Sequence, residues 1–551
     1  MKPPIRILLP ILLAAMFAAC GAHDETGPKP DGTAPQGTEA KPRRGGTIVT
    51  GFTTEPLGLN DLIFPTTMVG NEVLFRTFQH LVDEQPDFTE HPATFAPQLA
   101  ESWEWSDDHK TLTFHLRKNL VWSDGAPLTA EDVRWTWQAH IHPAVAWDSA
   151  YMKEAIRDVE VVDPVTVRFH FTRVYAKQLL DANEGLVLPK HLWSQLPFEK
   201  WRENPDWFRQ HLVASGPFRI ASWKPQQEMV LVRNERYWEK DRPYLDRVIL
   251  RFIPDAGNLL SQFLNGELDF IPQVSPSDAT RIQANPGLEL VSFWSNLYVV
   301  VAWNNSRPLF ADPEVRRALT LAIDRQAIVD TLLPGGTGRV GISPILQAVW
   351  AHDKTLKPWP FDPVEARRIL AAKGWKDTDG DGILDRGGKK FSFELTSNAG
   401  NQSRNDAAVM IQQQLRGVGI EATPRILEFN TLVTDTRSGN FDGTVTGLSI
   451  DTSLDLSGGY HSRAIASGEN FFRYSNPEVD RLIDLSARQV EFADALPYFH
   501  QIEHLLHHDQ PATFLWESQR LTALNKRVHD AKPNLLQSLF NLKDWWVEPG
   551  R

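Results

Sequence analysis

The sequence predicts a mixed α/β protein, and three stretches of the chain support that prediction. The apolar, valine-rich run 297–303 has the length and composition of a strand that is buried on both faces. After a polar turn, Asp312 and Pro313 provide a side-chain cap and a preset first helical residue. Strands and helices then alternate through the second half, whereas paired strands are predicted in the segment 85–211.

The helix that follows Asp312 has an apolar stripe along one side. Glu314, Arg316 and Arg317 fall largely outside that stripe. The stripe residues recur at i, i+3, i+4, i+7 and i+8, and they are Val315, Ala318, Leu319, Ala322 and Ile323.

The first half of the chain reads as strands separated by short helices. Thr129 and Asp132 lie three residues apart at a helix start, close to a capping box. Apolar residues alternate with polar ones along 165–171, which is typical of a half-buried strand. The predicted elements are strand 47–52, helix 69–81, the hairpins 103–117 and 159–171, strands from 215, at 229–233 and at 248–253, helix 258–264 and strand 269–271.

The second half alternates more regularly. Asp362 and Asn476 each precede a proline and cap a predicted helix, and Gly374 ends the first of these helices. The other predicted elements are strands 391–396, 420–427, 444–446, 515–516 and 521–524 and helix 405–416, which ends at Gly417.

Composition excludes some classes of protein. Lys and Arg number 57 against 69 Asp and Glu, a net charge of −12, and basic runs are absent, so nucleic acid is not expected as a partner. Trp is frequent, with 19 residues, and its amphipathic ring suits both cores and binding sites. The single cysteine leaves no disulfide and no cysteine metal site.

The N-terminus resembles a bacterial lipoprotein signal. Lys2 and Arg6 precede an apolar run at 7–17, and small residues lead to Cys20. We expect residues 1–19 to be a signal peptide, Cys20 to carry lipid and 20–44 to be a disordered tether. A plain secretory signal cut nearby is the alternative. The run is shorter than the ~20 residues that span a bilayer.

Seven short motifs occur in order across most of the chain. Together they resemble family 5 of the bacterial extracellular solute-binding proteins, the peptide-, dipeptide- and nickel-binding components of ABC importers. The motifs are Leu-Ala-Glu-Ser-Trp at 99–103, Phe-His-Leu-Arg-Lys at 114–118, the stretch 123–133 from Ser-Asp-Gly to Val, Leu-Pro-Lys-His-Leu-Trp at 188–193, Ser-Gly-Pro-Phe at 215–218, Arg-Asn-Glu-Arg-Tyr-Trp at 233–238 and the turn and helix at 304–325.

The resemblance implies a two-lobed clam shell that closes around a ligand. Lobe I would comprise 45–297, with a β-rich subdomain inserted at 85–211. Lobe II would comprise 298–520, and 521–551 would return to lobe I. Closure requires that the ligand bind the closed form better.

The same resemblance implies a set of ligand contacts. Relatives use an Asp after a strand to pair a peptide amine, and Asp451 and Asp455 occupy that segment, although this chain lacks the Trp and both prolines found there. Loop capping or hinge packing is the alternative role for each candidate. The other candidates are Phe52, Thr53 and Glu55 after the first strand, Trp294, Asn296, Trp303 and Asn304 around the crossing between lobes, and Leu448, Ser449, Tyr460 and His461.

Three further patterns in the chain resemble metal or cofactor motifs. Asp377, Asp379, Asp381 and Asp385 match positions 1, 3, 5 and 9 of a calcium loop, but position 12 is Gly388, so a polar hairpin turn is the alternative. The GxGxxG pattern at 336–341 opens no helix and is rejected as a dinucleotide site. Three histidines recur every four residues and indicate either a metal site or a solvated helix face: His500, His504 and His508.

These observations predict a receptor and not an enzyme. We expect an exported, lipid-anchored monomer, in the periplasm or on the outer face of the cell membrane, that captures di- or oligopeptides and delivers them to a membrane permease. No cofactor is expected apart from the candidate calcium. The alternatives are a secreted hydrolase, a binder of nickel chelate, sugar or opine, and a sensor or scaffold lipoprotein. The chain contains no GxSxG, HExxH or Walker motif, so these patterns give an enzyme no support.

Overall fold

The computed structural model describes residues 41–65 and 67–548, and it is a mixed α/β protein. The predicted signal peptide, Cys20 and most of the predicted tether lie outside the described residues. Within those residues, none of the helices combines the length and the apolar composition that crossing a membrane requires.

The strands are short except for two. In chain order they are β1 (Thr47–Phe52), β2 (Val82–Glu84), β3 (Phe95–Pro97), β4 (Ala100–Trp105), β5 (Thr111–Leu116), β6 (Ile156–Asp163), β7 (Thr166–Phe171), β8 (Phe218–Lys224), β9 (Glu228–Arg233), β10 (Arg247–Phe252), β11 (Phe270–Ile271), β12 (Leu288–Trp303), β13 (Gly338–Val340), β14 (Asp385–Arg386), β15 (Lys389–Lys390), β16 (Ser392–Asn398), β17 (Glu421–Leu427), β18 (Gly443–Ser449), β19 (Ala512–Asn525), β20 (Val528–His529) and β21 (Trp546–Val547).

Most helices are short and begin at a side-chain cap. In chain order they are α1 (Met68–Thr77), α2 (Ala130–Ile141), α3 (Gln178–Asn183), α4 (Lys190–Trp193), α5 (Pro205–Gln210), α6 (Ala256–Leu264), α7 (Ala279–Gln283), α8 (Pro313–Ala322), α9 (Arg325–Leu332), α10 (Pro363–Ala372), α11 (Gln402–Arg416), α12 (Phe429–Ser438), α13 (Ser457–Tyr460), α14 (Pro477–Ser486) and α15 (Leu496–Asp509).

One eleven-stranded sheet joins the two lobes, in the order β17-β16-β18-β12-β19-β11-β1-β10-β9-β8, with β13 paired to β19. β12 and β19 are the long antiparallel strands at its centre. Their register shifts between Trp294 and Tyr298, so each strand has one half on either side of the shift. Lobe II contains the half of β12 after the shift, the strands β16, β17 and β18, and the helices around them. Lobe I contains the strands β11, β1, β10, β9 and β8.

The second half of β12 is buried on both faces, as its composition predicts. Val299 and Val301 belong to one core cluster, and Tyr298, Val300 and Ala302 belong to another on the opposite side. Val300 and Val301 are fully buried. Lobe II is therefore a sheet with an apolar core on each face.

The predicted hairpins form a separate four-stranded antiparallel sheet, in the order β4-β5-β7-β6. This sheet and the chain from α2 to α5 constitute the β-rich subdomain. The helix α2 begins with a complete capping box between Thr129 and Asp132. The predicted subdomain of lobe I begins at residue 85, but the loop before the sheet packs against lobe II. Phe88 lies in a lobe II core, and its carbonyl accepts a hydrogen bond of 3.1 Å from the Trp350 amide.

Asp312 caps α8 as expected, but Arg316, which falls largely outside the apolar stripe, is buried. Its guanidinium donates to the carbonyls of Phe310, Asp509 and Gln510, two of which lie at the C-terminal end of α15. A charged side chain is tolerated there because carbonyl oxygens at a helix C-terminus attract cations.

Candidate functional site

A cavity of about 1120 Å³ lies between the β-rich subdomain and lobe II. The subdomain contributes residues from 151–155 and 173–181 to its lining. Lobe II contributes the end of β18, the loop that follows it, Arg404 on α11 and one side of α12 along its length. Of the sequence-predicted site residues, the structure places Leu448, Ser449, Asp451, Asp455 and Tyr460 on this lining.

The strand β18 presents a backbone edge toward the cavity. On one side it pairs with β12 along its whole length, from Gly443 to Ser449. On the other side it pairs with β16 only at Gly443 and Thr444, in the part of the chain that the structure describes. Residues 446–449 line the cavity. Their outward backbone groups are therefore available to an extended ligand.

Asp455 is already paired within the protein. Its Oδ2 lies 2.6 Å from Nζ of Lys177, which belongs to the subdomain. Burial alone would raise the pKa of Asp455, but the Lys177 ammonium and the hydrogen bonds from Ser457 together outweigh burial and hold that pKa below its usual value. Asp455 thus connects the two walls of the cavity.

Asp451 has no ion-pair partner among residues 41–65 and 67–548. Its Oδ1 accepts hydrogen bonds from the amide of Ser453, at 3.0 Å, and from the hydroxyl of the same residue. Asp451 is exposed to the cavity, and its second oxygen has no protein donor in that part of the chain. A ligand cation could bind there.

Two further carboxyl groups, those of Glu84 and Glu184, lie close to Asp451. Glu84 accepts a hydrogen bond from the hydroxyl of Thr452, the residue next to Asp451. Burial raises the pKa of Glu84 to about 7, and the charges of Glu184 and Asp451 add to the effect. Burial also raises the pKa of Glu184. A cation bound at Asp451 would favour the ionised forms of Glu84 and Glu184.

Arg404 lies on the cavity lining without a carboxylate partner among the described residues. Its Nη1 donates to Oδ1 of Asn398 at 3.1 Å, and its buried Nε has no acceptor there. Burial lowers the pKa of Arg404, and no acidic side chain contributes to that shift. The free guanidinium is thus separated from the acidic end of the cavity.

Sequence reasoning missed Arg404, although a signal was present. Arg404 is the third residue of α11, after the cap Asn401. A cation in the first turn of a helix is unfavourable because the macrodipole is positive there. Sequence reasoning also missed two exposed aromatic residues of the lining, Tyr151 at 62% and Phe429 at 54% exposure.

The residues predicted to contact ligand after β1 lie off the cavity lining. Phe52 is buried in the lobe I core. The Glu55 carboxylate accepts hydrogen bonds from Trp223 Nε1, at 3.2 Å, and from the amide of Gln226, at 3.0 Å. Thr53 is exposed but lies outside the cavity lining. This segment packs against lobe I, where Phe52 joins the core and Glu55 accepts hydrogen bonds.

The predicted contacts Trp303 and Asn304, at the crossing, lie off the cavity lining as well. Trp303 and Asn304 are both 0% exposed. Trp303 Nε1 donates to Thr513 Oγ1 at 3.1 Å, and Asn304 Nδ2 donates to the carbonyls of Gly439 and Phe441 at 3.1 and 2.9 Å. Their polar groups are satisfied in the lobe II core, where no ligand reaches them.

Trp294, Asn296 and His461 also lie off the cavity lining. Arg339 stacks on the ring of Trp294 at 3.8 Å, and the Asn296 carbonyl accepts a hydrogen bond from the amide of Ile450. His461 is buried, and its Nδ1 accepts from the amide of Arg463 at 3.1 Å. Tyr460 reaches the lining, but it is buried, with its hydroxyl 3.3 Å from that of Tyr298.

The predicted calcium loop is assembled only in part. The carboxylates of Asp377, Asp379 and Asp381 converge on the surface. Asp385 turns away and accepts hydrogen bonds from the amide and hydroxyl of Thr378 at 2.9 and 2.6 Å. The Lys390 ammonium forms ion pairs with Asp379 and Asp381 and so already supplies a positive charge.

Comparison with known proteins agrees with this architecture. The family model for bacterial extracellular solute-binding proteins, family 5, matches residues 94–466. The oligopeptide-binding protein AppA of Bacillus subtilis (strain 168) is 31% identical over 98% of this chain and 97% of its own. Heme-binding protein A of Haemophilus influenzae is 24% identical over 94% of this chain and 95% of its own.

A solved structure shows the same fold. The structure of Bacillus subtilis AppA in complex with a nonapeptide superposes with a TM-score of 0.77, at 31% identity, and covers 92% of this chain and 100% of that chain. The resemblance drawn from the ordered motifs is confirmed, as is the two-lobed α/β fold. The chain belongs to family 5 of the bacterial extracellular solute-binding proteins.

Proposed function

We propose that this protein is the peptide-binding receptor of an ABC importer, which captures an oligopeptide between its lobes and delivers it to a membrane permease. One observation carries the proposal. The open edge of β18 runs along a cavity that holds a free carboxylate, Asp451, and a free guanidinium, Arg404. An extended peptide offers a backbone, a cationic amine and a carboxylate to those groups.

The backbone edge gives affinity that does not depend on sequence. A peptide that lies beside residues 446–449 adds a strand to the sheet through main-chain hydrogen bonds. The peptide side chains then alternate between the two sides of the added strand. Tyr151 and Phe429 offer apolar surface to those that face the cavity.

The two charged groups fix the direction of the peptide. Its amine binds Asp451, whose second oxygen has no protein donor among the described residues. A carboxylate of the peptide binds Arg404. Charge-assisted hydrogen bonds of this type are stronger than neutral ones, and they replace the hydration that each group loses on closure.

The size of the cavity favours peptides longer than a dipeptide. Its volume of about 1120 Å³ exceeds the range of roughly 300–1,000 Å³ typical of small-molecule pockets. The relative with 31% identity is named an oligopeptide-binding protein, and its structure holds a nonapeptide. Both facts support an oligopeptide ligand.

The composition of the lining supports binding without catalysis. Among the described residues that line the cavity there is no histidine and no cysteine. Its serines therefore have no imidazole base beside them, and acyl transfer would require one. Release of the ligand unchanged is the expected outcome.

We also propose that the mature chain is an exported monomer held to the membrane by lipid on Cys20. The family description as extracellular proteins supports export. The charged start, apolar run and small residues before Cys20 support the anchor. Mass spectrometry of the mature N-terminus tests it, and an unmodified N-terminus at any other residue would exclude it.

Native mass spectrometry of the purified protein tests the proposed ligand. A peptide should co-purify, and a peptide library should raise the melting temperature. If the protein carries no peptide and no peptide in the library shifts the melting temperature, the peptide assignment is wrong. A co-purified nickel chelate, haem or opine would replace it, and cleavage of the library would restore the hydrolase alternative.

A further inference from the structure

Two histidines and an aspartate meet on the surface of lobe II, outside the ligand cavity. His500 and His504 are one turn apart on α15 and face the same side of the helix. Oδ2 of Asp353 lies 2.9 Å from His504 Nε2 and 4.0 Å from His500 Nδ1. A single carboxylate oxygen therefore faces both imidazole rings, and none of the three residues lines the cavity.

The loop that carries Asp353 is fixed on α15. The Asp353 amide donates to Glu503 Oε2 at 2.7 Å, and Glu503 also accepts a hydrogen bond from Nδ1 of the neighbouring His352 at 2.8 Å. Glu503 is fully buried and belongs to the same helix as both exposed histidines. A buried carboxylate thus ties the loop to α15 directly beneath the cluster.

The Asp353 side chain is itself oriented. Its Oδ1 accepts hydrogen bonds from the amide and the hydroxyl of Thr355, at 2.8 and 2.7 Å, which leaves Oδ2 to the rings. Asp353 is thus a positioned carboxylate, with a side chain only 13% exposed.

We propose that His500, His504 and Asp353 bind a divalent transition-metal ion of the Zn²⁺ class, with water completing its coordination. Two histidines four residues apart on a helix, joined by a carboxylate, are a common ligand set for zinc. Imidazole prefers Zn²⁺, Cu²⁺ and Ni²⁺ to Ca²⁺ and Mg²⁺, which bind oxygen. Such an ion would clamp the 353 loop to α15.

The ligand atoms of the three residues are not yet close enough together to share one ion, so the side chains must rotate to bind it. Zinc–nitrogen bonds measure about 2.0–2.1 Å, so the ion must replace the contact that His504 now makes with Asp353. His500 has to turn toward the carboxylate. Its side chain is 35% exposed, and that of His504 is 54% exposed, so both rings have room to move and solvent can reach the ion.

Equilibrium dialysis with Zn²⁺ tests the site in the untagged, EDTA-treated protein. We expect one bound ion per chain, and His500→Gln, His504→Gln and Asp353→Asn should each weaken binding by at least about tenfold. His508→Gln is the matched control, because His508 lies on the same helix but contacts Asp509 and not Asp353. It should leave Zn²⁺ affinity unchanged.

The same experiment can overturn the proposal. The proposal is wrong if the wild type binds no Zn²⁺, or if all three variants bind Zn²⁺ as tightly as the wild type. It is also wrong if His508→Gln weakens Zn²⁺ binding and His500→Gln does not. Asp379→Asn tests whether Zn²⁺ binds at the acidic loop instead. If Asp379→Asn alone loses Zn²⁺ binding, the proposal is also wrong. X-ray absorption of the Zn²⁺-loaded wild type needs no variant. It should show two imidazole ligands, and a shell of oxygen alone would refute the site.

Discussion

Lys177 Nζ lies 2.6 Å from Asp455 Oδ2 and thereby joins the β-rich subdomain to lobe II at the cavity. The two residues are 278 positions apart in the chain. Their ion pair neutralises one of the two predicted amine-binding carboxylates, so Asp451 is the carboxylate that remains for a ligand. It also holds the two walls of the cavity together before any ligand binds.

Replacing Lys177 should favour the open form of the ligand-free protein. The paired side chains are 23% and 34% exposed, so the ion pair is worth about 1 kcal/mol or less. Lys177→Gln should then shift the ratio of closed to open molecules by at most about fivefold. Small-angle scattering should show a larger radius of gyration. Lys200→Gln, which breaks an exposed pair with Glu203, is the control and should change nothing.

Arg404→Gln should weaken peptide binding without lowering stability. Loss of a hydrogen bond to a charged group costs about 1.5–3 kcal/mol, or roughly 10- to 150-fold in affinity. Calorimetry should show that loss for a peptide with a free C-terminus and little change for its amidated form. Arg416→Gln, at the other end of α11, is the control. Equal effects of Arg404→Gln on both peptides would mean that Arg404 does not bind the terminal carboxylate.

Stability should fall between pH 4.5 and 7 because of Glu84. Burial raises the pKa of Glu84 from its ordinary value of 4.5 to about 7, so in this window the folded protein holds a proton that the unfolded chain has lost. The stabilisation from the protonated Glu84 is complete below pH 4.5 and is lost as pH rises through 7. The free energy of unfolding then falls by at most about 1.4 kcal/mol per pH unit. Urea unfolding of wild type and Glu84→Gln measures it. Parallel pH profiles for the two proteins would contradict this assignment.

Asn304→Ala should destabilise the protein and leave peptide affinity unchanged. Asn304 is fully buried, and its amide donates to two carbonyls that would lose their donor. The expected cost is about 1–3 kcal/mol in the free energy of unfolding. Thr53→Ala, at an exposed position, should cost far less. Weaker peptide binding by a stably folded Asn304→Ala protein would return this residue to the ligand site.

Lys390→Gln should make the acidic loop responsive to calcium. In the native loop the Lys390 ammonium neutralises Asp379 and Asp381. Without it, three converging carboxylates repel one another, and Ca²⁺ should raise the melting temperature of the variant more than that of the wild type. Lys389→Gln is the control. An equal response of wild type and Lys390→Gln would show that Lys390 does not substitute for a cation.

Local features of the fold could be predicted because their causes lie within a few residues. Asp312 and Pro313 start α8, Thr129 starts α2, and the alternation along β7 marks a half-buried strand, all as the sequence indicates. The continuous apolar run of β12 predicted burial on both faces for the same reason. Caps and periodicity act over one or two turns, so they are legible in the chain itself.

The candidate site was predictable only where it follows directly from a strand. Leu448, Ser449 and Asp451 lie at the end of β18, and the ordered motifs pointed to that segment. The residues after β1 look equally suitable in the sequence, yet Phe52 is in the core and Glu55 caps a neighbouring turn. Which strand end faces the cavity depends on how the lobes pack, and no local pattern records it.

The sequence by itself determined the α/β class, the family, an acidic segment after β18 and those strands and helices that local caps or periodicity mark. Only the tertiary structure decided that Asp455 is paired with Lys177, that Arg316 and Asn304 are buried, and that Arg404 is free beside the cavity. The reason is physical. Propensity and periodicity are properties of neighbouring residues, whereas burial and electrostatic pairing are set by groups that are distant in the chain and meet only after the lobes have folded.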